Sequence, residues 1–136
     1  MLAFDEMTTG RIFVGPPRQL TRVDFVRYAG VSGDYNPLHV DEVSAQATGQ
    51  PSVFGHGMYS AGLLASAVAD LVGLAHLRRY TVRFTRLARP DEEVFTELTI
   101  GDVRESEGTV TVAVDCALKS GDSEIVKGSA VAEYSR

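Results

Sequence analysis

Cysteine is nearly absent: Cys116 stands alone among 136 residues. One thiol closes no internal disulfide, which excludes a disulfide-stapled scaffold. The opening residues, with Asp5 and Glu6 among them, do not read as a secretion signal, so a reducing cytoplasm is the expected compartment. Long apolar runs are also missing. The most apolar stretch, Leu63 to Leu74, is broken by Ser66 and Asp70 and falls short of the ~20 residues a membrane span requires. Basic charge is in deficit, with 13 Lys and Arg against 18 Asp and Glu and a net charge of −5. Neutralising phosphates needs a basic surface, so a general nucleic-acid binder is excluded. Internal repeats, linkers and low-complexity tracts are absent as well.

What is present suits a folded soluble protein. The composition, 44% hydrophobic and 23% charged, is too apolar for a disordered chain. The length is below the roughly 150 residues of a typical domain, so residues 1–136 are expected to form a single domain. A chain of this size buries roughly two-thirds of its unfolded surface and needs no structural metal. Five of the 13 basic residues, Arg78, Arg79, Arg83, Arg86 and Arg89, fall in one acid-free segment. They form a positive stripe on a negative body, to be read either as a binding surface or as solvated strand positions with surface ion pairs.

The hydrophobic period changes along the chain. A short strand is expected near Arg11 to Val14. Thr21 with Asp24 forms a capping-box pattern that opens a helix running to about Val31. Gly33 to Leu38 reads as loop, because Pro37 steers Asn36 away from helical angles. Asp41 is placed to cap a short helix ending near Gly49. Met58 to Val72 is apolar on nearly every side, which predicts an enclosed helix, with Gly73 placed to end it. The rest alternates with period two: Tyr80, Val82 and Phe84 on one face, then Val94, Leu98 and Ile100, then Val110, Val112, Val114 and Leu118. Turn signals at Arg89-Pro90-Asp91, Ser106-Glu107-Gly108 and Ser120-Gly121-Asp122 separate these runs, and a last strand spans about Glu124 to Tyr134. The expected fold is α+β: a four-strand antiparallel meander plus the N-terminal strand, making a curved five-stranded sheet wrapped around one helix.

Two segments can carry chemistry. Asp34 and His39 lie five residues apart across an Asn36-Pro37 turn, which can bring a carboxylate and an imidazole to one water, the equipment of general acid–base catalysis. The same residues also allow a plain Asx turn at Asp34 and a half-exposed loop histidine. In Phe54-Gly55-His56-Gly57-Met58 a glycine pair leads into the apolar helix. The first N–H groups of a helix lack internal partners and carry the positive dipole end, so the Gly57 N–H can meet an oxygen gaining negative charge. A tight turn with close packing is the simpler use of those glycines. His39, Asp41 and His56 match no recognised metal-ligand spacing, and no metal is expected. Cys116 alternates with Val112 and Val114 and reads as packing, and Asp70 sits where it can reach solvent.

The run Tyr28-Ala-Gly-Val-Ser-Gly-Asp34-Tyr-Asn36-Pro37-Leu-His39, then Ala45, then His56-Gly57-Met58, resembles the MaoC-like family of (R)-specific enoyl-CoA hydratases and (R)-3-hydroxyacyl dehydratases, in its single-domain actinobacterial form. The similarity is strongest from Thr21 to about Leu64 and continues weakly through Val82-Arg83-Phe84. The resemblance implies the hotdog fold, a bent antiparallel sheet around a long central helix. It also implies addition or removal of water across the C2–C3 bond of an acyl-CoA or acyl-carrier-protein thioester. Asp34 and His39 then form the catalytic pair and the Gly57 N–H binds the thioester oxygen. Asn36 holds the loop, Ala65 and Val68 fall where the family lines its acyl pocket, and Arg83 belongs to the stripe that would suit a phosphorylated or acidic carrier. No resident cofactor is implied, since CoA or phosphopantetheine enters with the substrate. A homodimer, or a heterodimer with another hotdog subunit, is implied. One departure stands out: Arg89-Pro90-Asp91-Glu92 lacks the glycine of the Pro-Gly-Asp turn seen in relatives. A catalytic subunit of a heteromeric dehydratase, a hotdog thioesterase and a non-catalytic partner subunit are the alternative readings.

Overall fold

A helix rich in small side chains lets a sheet approach closely, and the fold is arranged around that approach. The computed structural model describes residues 6–135. In chain order it contains β1 (Ile12–Val14), β2 (Arg18–Gln19), α1 (Arg22–Ser32), α2 (Glu42–Ala47), α3 (Gly57–Val72), β3 (Leu77–Phe84), β4 (Glu93–Ser106), β5 (Thr109–Ser120) and β6 (Ser123–Ser135). Ser60, Ala61, Leu64, Val68, Leu71 and Val72 form the buried stripe of α3. Against it pack the inward residues of the sheet, among them Leu98, Ile100, Val110, Val112, Val114, Cys116, Leu118, Val126, Ala130 and Ala132. The alternation read along β5 is the observed one. Cys116 lies in this core, and burial pushes its thiol up to about 11, so it is a packing residue.

All strands pair antiparallel, in the order β1-β4-β5-β6-β3, with the two-residue β2 added on β4 as a sixth strand beyond the five expected. The meander holds three strands instead of four, because β3 pairs with β6 and not with β4. Turn length explains this. Glu107 and Gly108 both take positive φ, 50° and 75°, the tight turn that joins neighbouring strands. The segment from Thr85 to Glu92 is too long for such a turn and instead carries the chain from one sheet edge to the far side of β5. Register shifts between Ile100 and Val103, and between Leu118 and Lys119, let the long strands bend around the helix.

The helix is not enclosed on every side. Gly62, Ser66 and Asp70, spaced four apart, are exposed together with Met58. Apart from Met58, small and polar side chains occupy that face, and no described element of this chain covers it. At the start of the helical half, Thr21 and Asp24 form the expected capping box of α1. Gly33 closes that helix at φ 75° and donates its N–H to the Ala29 carbonyl oxygen at 2.9 Å.

At Gly128 the backbone of β6 lies close against β3. A Cβ there would collide with the Thr81 carbonyl oxygen and lie 3.1 Å from Val82 Cγ1. Backbone cannot yield as a flexible side chain can, so Gly128→Ala is expected to cost about 1–3 kcal/mol of stability. The midpoint shift in urea unfolding measures it.

Candidate active site

The loop that follows α1 is held by its own side chains. Asn36 donates its backbone N–H to Asp34 Oδ1 at 3.2 Å, and Leu38 donates to Asn36 Oδ1 at 3.1 Å. Pro37 then starts a single 3₁₀ turn, Pro37–His39. The Asx turn at Asp34 is therefore real, and it uses only one of the two carboxylate oxygens. The other, Oδ2, faces His39 Nε2 at 3.8 Å. The structural use and the chemical use of Asp34 coexist because each takes a different oxygen.

His39 is 9% exposed, whereas the Asp34 side chain is 54% exposed. The opposite imidazole nitrogen, Nδ1, lies 2.7 Å from the Phe54 carbonyl oxygen. A carbonyl can only accept, so Nδ1 carries the proton, and in the neutral ring Nε2 presents a lone pair to Asp34. Two acceptors then face one another, and a proton or a water molecule satisfies both. Phe54 also sets its ring edge against His39, with centroids 5.1 Å apart. Arg89 lies over that phenyl ring at 5.9 Å and donates to Gln50 Oε1 at 2.9 Å.

His56 joins this loop to α3. Its Nε2 lies 3.0 Å from the Asp34 carbonyl oxygen, so it donates there. Its ring stacks on His39 with centroids 3.7 Å apart and planes at 25°. The next residue, Gly57, begins α3. Gly57 is exposed, and among the described residues no oxygen accepts from its N–H. A Cβ on Gly57 would lie 3.2 Å from Phe84 Cε1. Here the helix start and the rim close on one another, and beside them lies a cavity of about 220 Å³ lined by Gly55, Gly57, Ser60, Phe84, Leu87 and Val126.

The MaoC like domain pattern matches residues 6–121. The chain belongs to the MaoC-like family. It is 37% identical over 75 residues to the 3-hydroxyacyl-thioester dehydratase X of Mycobacterium tuberculosis, covering 52% of this chain and 26% of that protein. Over 106 residues it is 26% identical to the fatty acid synthase beta subunit TOXC of Cochliobolus carbonum, covering 76% of this chain and 5% of that one. The MaoC-like chain thus spans only a small part of the length of these relatives. The structure of the unliganded R-hydratase PhaJ1 from Pseudomonas aeruginosa matches it with a TM-score of 0.78 at 26% identity, covering 97% of this chain and 88% of the other. The sheet wrapped around α3 is the hotdog fold.

Of the residues singled out in the sequence, the MaoC-like fold brings Asp34, Asn36 and His39 together and reaches Gly57 through His56. Ala65 and Val68 lie about 12 and 16 Å further along the α3 axis, Ala65 half-buried and Val68 in the core. Arg83 alternates with Phe84, so it points to the opposite face of the sheet. There it borders a cavity of about 570 Å³ with Thr81, Glu97, Asp115 and Lys127. Three of the five arginines are engaged within the fold: Arg78 with Glu133 at 3.1 Å, Arg86 with Glu92 at 2.9 Å, and Arg89 with Gln50 and Phe54. The missing glycine of the rim turn is replaced in conformation. Asp91 takes φ 67°, the left-handed backbone that Asp tolerates better than most residues.

Asp34, His39 and His56 are the group among the described residues whose side chains could hold a metal ion, one ligand atom from each lying within 4.8 Å of the others. One nitrogen of each ring is already committed to a backbone carbonyl oxygen, His39 Nδ1 to Phe54 and His56 Nε2 to Asp34. Sequence reading missed the bridging role of His56 and the support from Gln50 and Arg89. Only the motif His56-Gly57 signalled the first, and nothing local signalled the others.

Glu42 anchors the approach to this site. It accepts from Arg22 Nη1 at 2.6 Å, from Ser52 Oγ at 3.0 Å and from the Val53 N–H at 3.3 Å. Chiefly the Arg22 hydrogen bond holds its carboxyl at about 2, against an ordinary 4.5. A depressed carboxyl stabilises the fold above its unfolded pKa, and that contribution is lost as pH falls from 4.5 toward 2. Glu42→Gln is expected to lower the melting temperature at pH 7, and the gap from the wild type should close by pH 2 in a pH series of thermal melts.

Proposed function

We propose that this chain is an (R)-specific enoyl-thioester hydratase, running in reverse as a 3-hydroxyacyl-thioester dehydratase. The observation that carries the reading is the facing of Asp34 Oδ2 and His39 Nε2 at 3.8 Å, one stacked histidine away from an unpaired helix N–H. A water between the pair is polarised by two acceptors. Its hydroxyl adds to C3 of a trans-2-enoyl thioester while the pair takes up its proton, and a proton from the pair is delivered to C2 on the same face. The electron pair displaced from the C2–C3 double bond is carried transiently toward the thioester oxygen, where the Gly57 N–H and the α3 dipole stabilise it. Protonation at C2 returns that charge, so one water is consumed and nothing else is gained or lost. Asn36 serves by holding the turn.

CoA or phosphopantetheine enters as part of the substrate, and no resident cofactor takes part in this reading. Arg79 and Arg83, the two arginines of the stripe whose side chains have no hydrogen-bond, ion-pair or ring partner among the described residues, are the cations left to meet a phosphate or an acidic carrier. Ala65 and Val68 are assigned to the far end of the acyl path. The open edge of β3 and the uncovered face of α3 support pairing with a second hotdog subunit, identical or different. No described helix is long and apolar enough to cross a membrane, and the buried single cysteine supports a cytoplasmic setting.

Loss of the enoyl-thioester absorbance with crotonyl-CoA and longer homologues tests the reading. Asp34→Asn and His39→Ala are each expected to lower kcat by about 10²–10⁴-fold, and full activity in both variants would falsify the assignment. Gly57→Pro removes the N–H at a helix position where proline is tolerated, and His56 with φ −58° and ψ 135° is already compatible with a following proline. It is expected to cost about 10²–10³-fold in kcat. Gly57→Ala, which keeps the N–H and adds only the contact with Phe84, serves as the steric control and should retain most of the rate.

A further inference from the structure

We propose that His56 is a positioning residue that locks the acid–base pair to the oxyanion donor, an inference that rests on the hydratase reading above. His56 is 2% exposed. Its two nitrogens are used unequally: Nε2 donates to the Asp34 carbonyl oxygen at 3.0 Å, whereas Nδ1 is buried without a partner among the described residues. A buried acceptor left unpaired is a net cost. A phenyl ring, only slightly larger, would keep the stack on His39 and the edge contact with Tyr28, whose centroid lies 4.8 Å away. Packing alone therefore gives no reason for an imidazole here, and the Nε2 donor does.

The bond also lies at a mechanically informative place. Asp34 is exposed and follows the left-handed Gly33; its N–H donates to Ser32 Oγ at 3.2 Å, a bond local to the loop that does not connect it to α3. The side chain of His56 fixes the Asp34 carbonyl, and its ring face fixes the plane of His39. Its own main chain is the cap of α3, directly before the Gly57 N–H. One residue thus ties together three groups that come from two loops and a helix. The two histidines hold opposite tautomers: His39 carries its proton on Nδ1 toward Phe54, and His56 carries its proton on Nε2 toward Asp34. With Nε2 committed to the Asp34 carbonyl and Nδ1 buried, His56 acts through its neighbours.

Two variants separate the contributions. His56→Phe keeps the ring and removes the donor, and His56→Gln restores a donor of similar reach without the ring. With the enoyl-CoA on which the wild type is most active, His56→Phe is expected to lose about 100-fold in kcat. KM should stay within about threefold and the thermal midpoint close to that of the wild type, while His56→Gln recovers about tenfold of the lost rate. Unchanged kcat in His56→Phe overturns the proposal, and so does a parallel fall of kcat, KM performance and melting temperature in both variants, which is a structural role only. If the wild type turns over no enoyl thioester, the hydratase reading fails on its own, and imidazole ¹⁵N spectra of the wild type then decide the positioning claim. A His39 Nδ1–H signal together with a His56 Nε2–H signal supports it, and either tautomer reversed overturns it.

Discussion

The hydrogen bond from His39 Nδ1 to the Phe54 carbonyl oxygen decides which nitrogen of the imidazole meets Asp34, and the chemistry of the site depends on it. With Nδ1 committed, the neutral ring can only present a lone pair toward the carboxylate, and two acceptors share one water. Were the proton on Nε2 instead, His39 would turn a donor toward the carboxylate and the two groups would no longer both be acceptors. The bond exists because the segment before α3 runs back beside the 3₁₀ turn, where the Phe54 N–H also donates to the Leu38 carbonyl oxygen at 3.4 Å. One side of that contact is the single 3₁₀ turn Pro37–His39, and the other, Phe54, lies outside any helix or strand.

Support for the segment comes from three directions. Glu42 holds Ser52 and Val53 from the side of α2. The rim turn holds Gly55, whose N–H donates to the Ala88 carbonyl oxygen at 2.9 Å. Arg86 and Glu92 shape the rim, with Glu92 also accepting from the Arg89 N–H at 2.9 Å. Much of the arginine stripe is thus internal scaffolding for the site. Phe25 limits the same segment sterically, since a Cβ on Gly55 would lie 2.9 Å from its ring. A loop that would otherwise be soft is held by hydrogen bonds to side chains and by close packing, and a helix start is held beside it at a constant angle.

The curved sheet contributes by leaving that helix start uncovered. Register shifts in β4 and β5 bend the strands around the body of α3, while the first turn projects to the rim formed by Phe84 and Leu87. The positive end of the helix is then available to an oxygen of a bound molecule. Energetically the core and the site are separable: the buried stripe from Leu64 to Val72 carries the apolar packing, and Gly57 at the other end carries almost none of it.

Period and local chemistry were enough to read the helix from Met58 to Val72, the alternation of β5, the caps at Thr21 and Asp41, and the turn that brings Asp34 near His39. All of these are governed by residues a few positions apart. The pairing of β3 with β6, the exposed face of α3 and the spending of Arg78, Arg86 and Arg89 on internal partners were not legible, because each depends on elements tens of residues away. His56 belongs to the same class. Its sequence neighbours place it before a helix, but its stack on His39 and its bond to Asp34 arise only when the two loops close on each other. A side chain's type and spacing state what it can donate or accept, and only the folded chain determines which partner takes it.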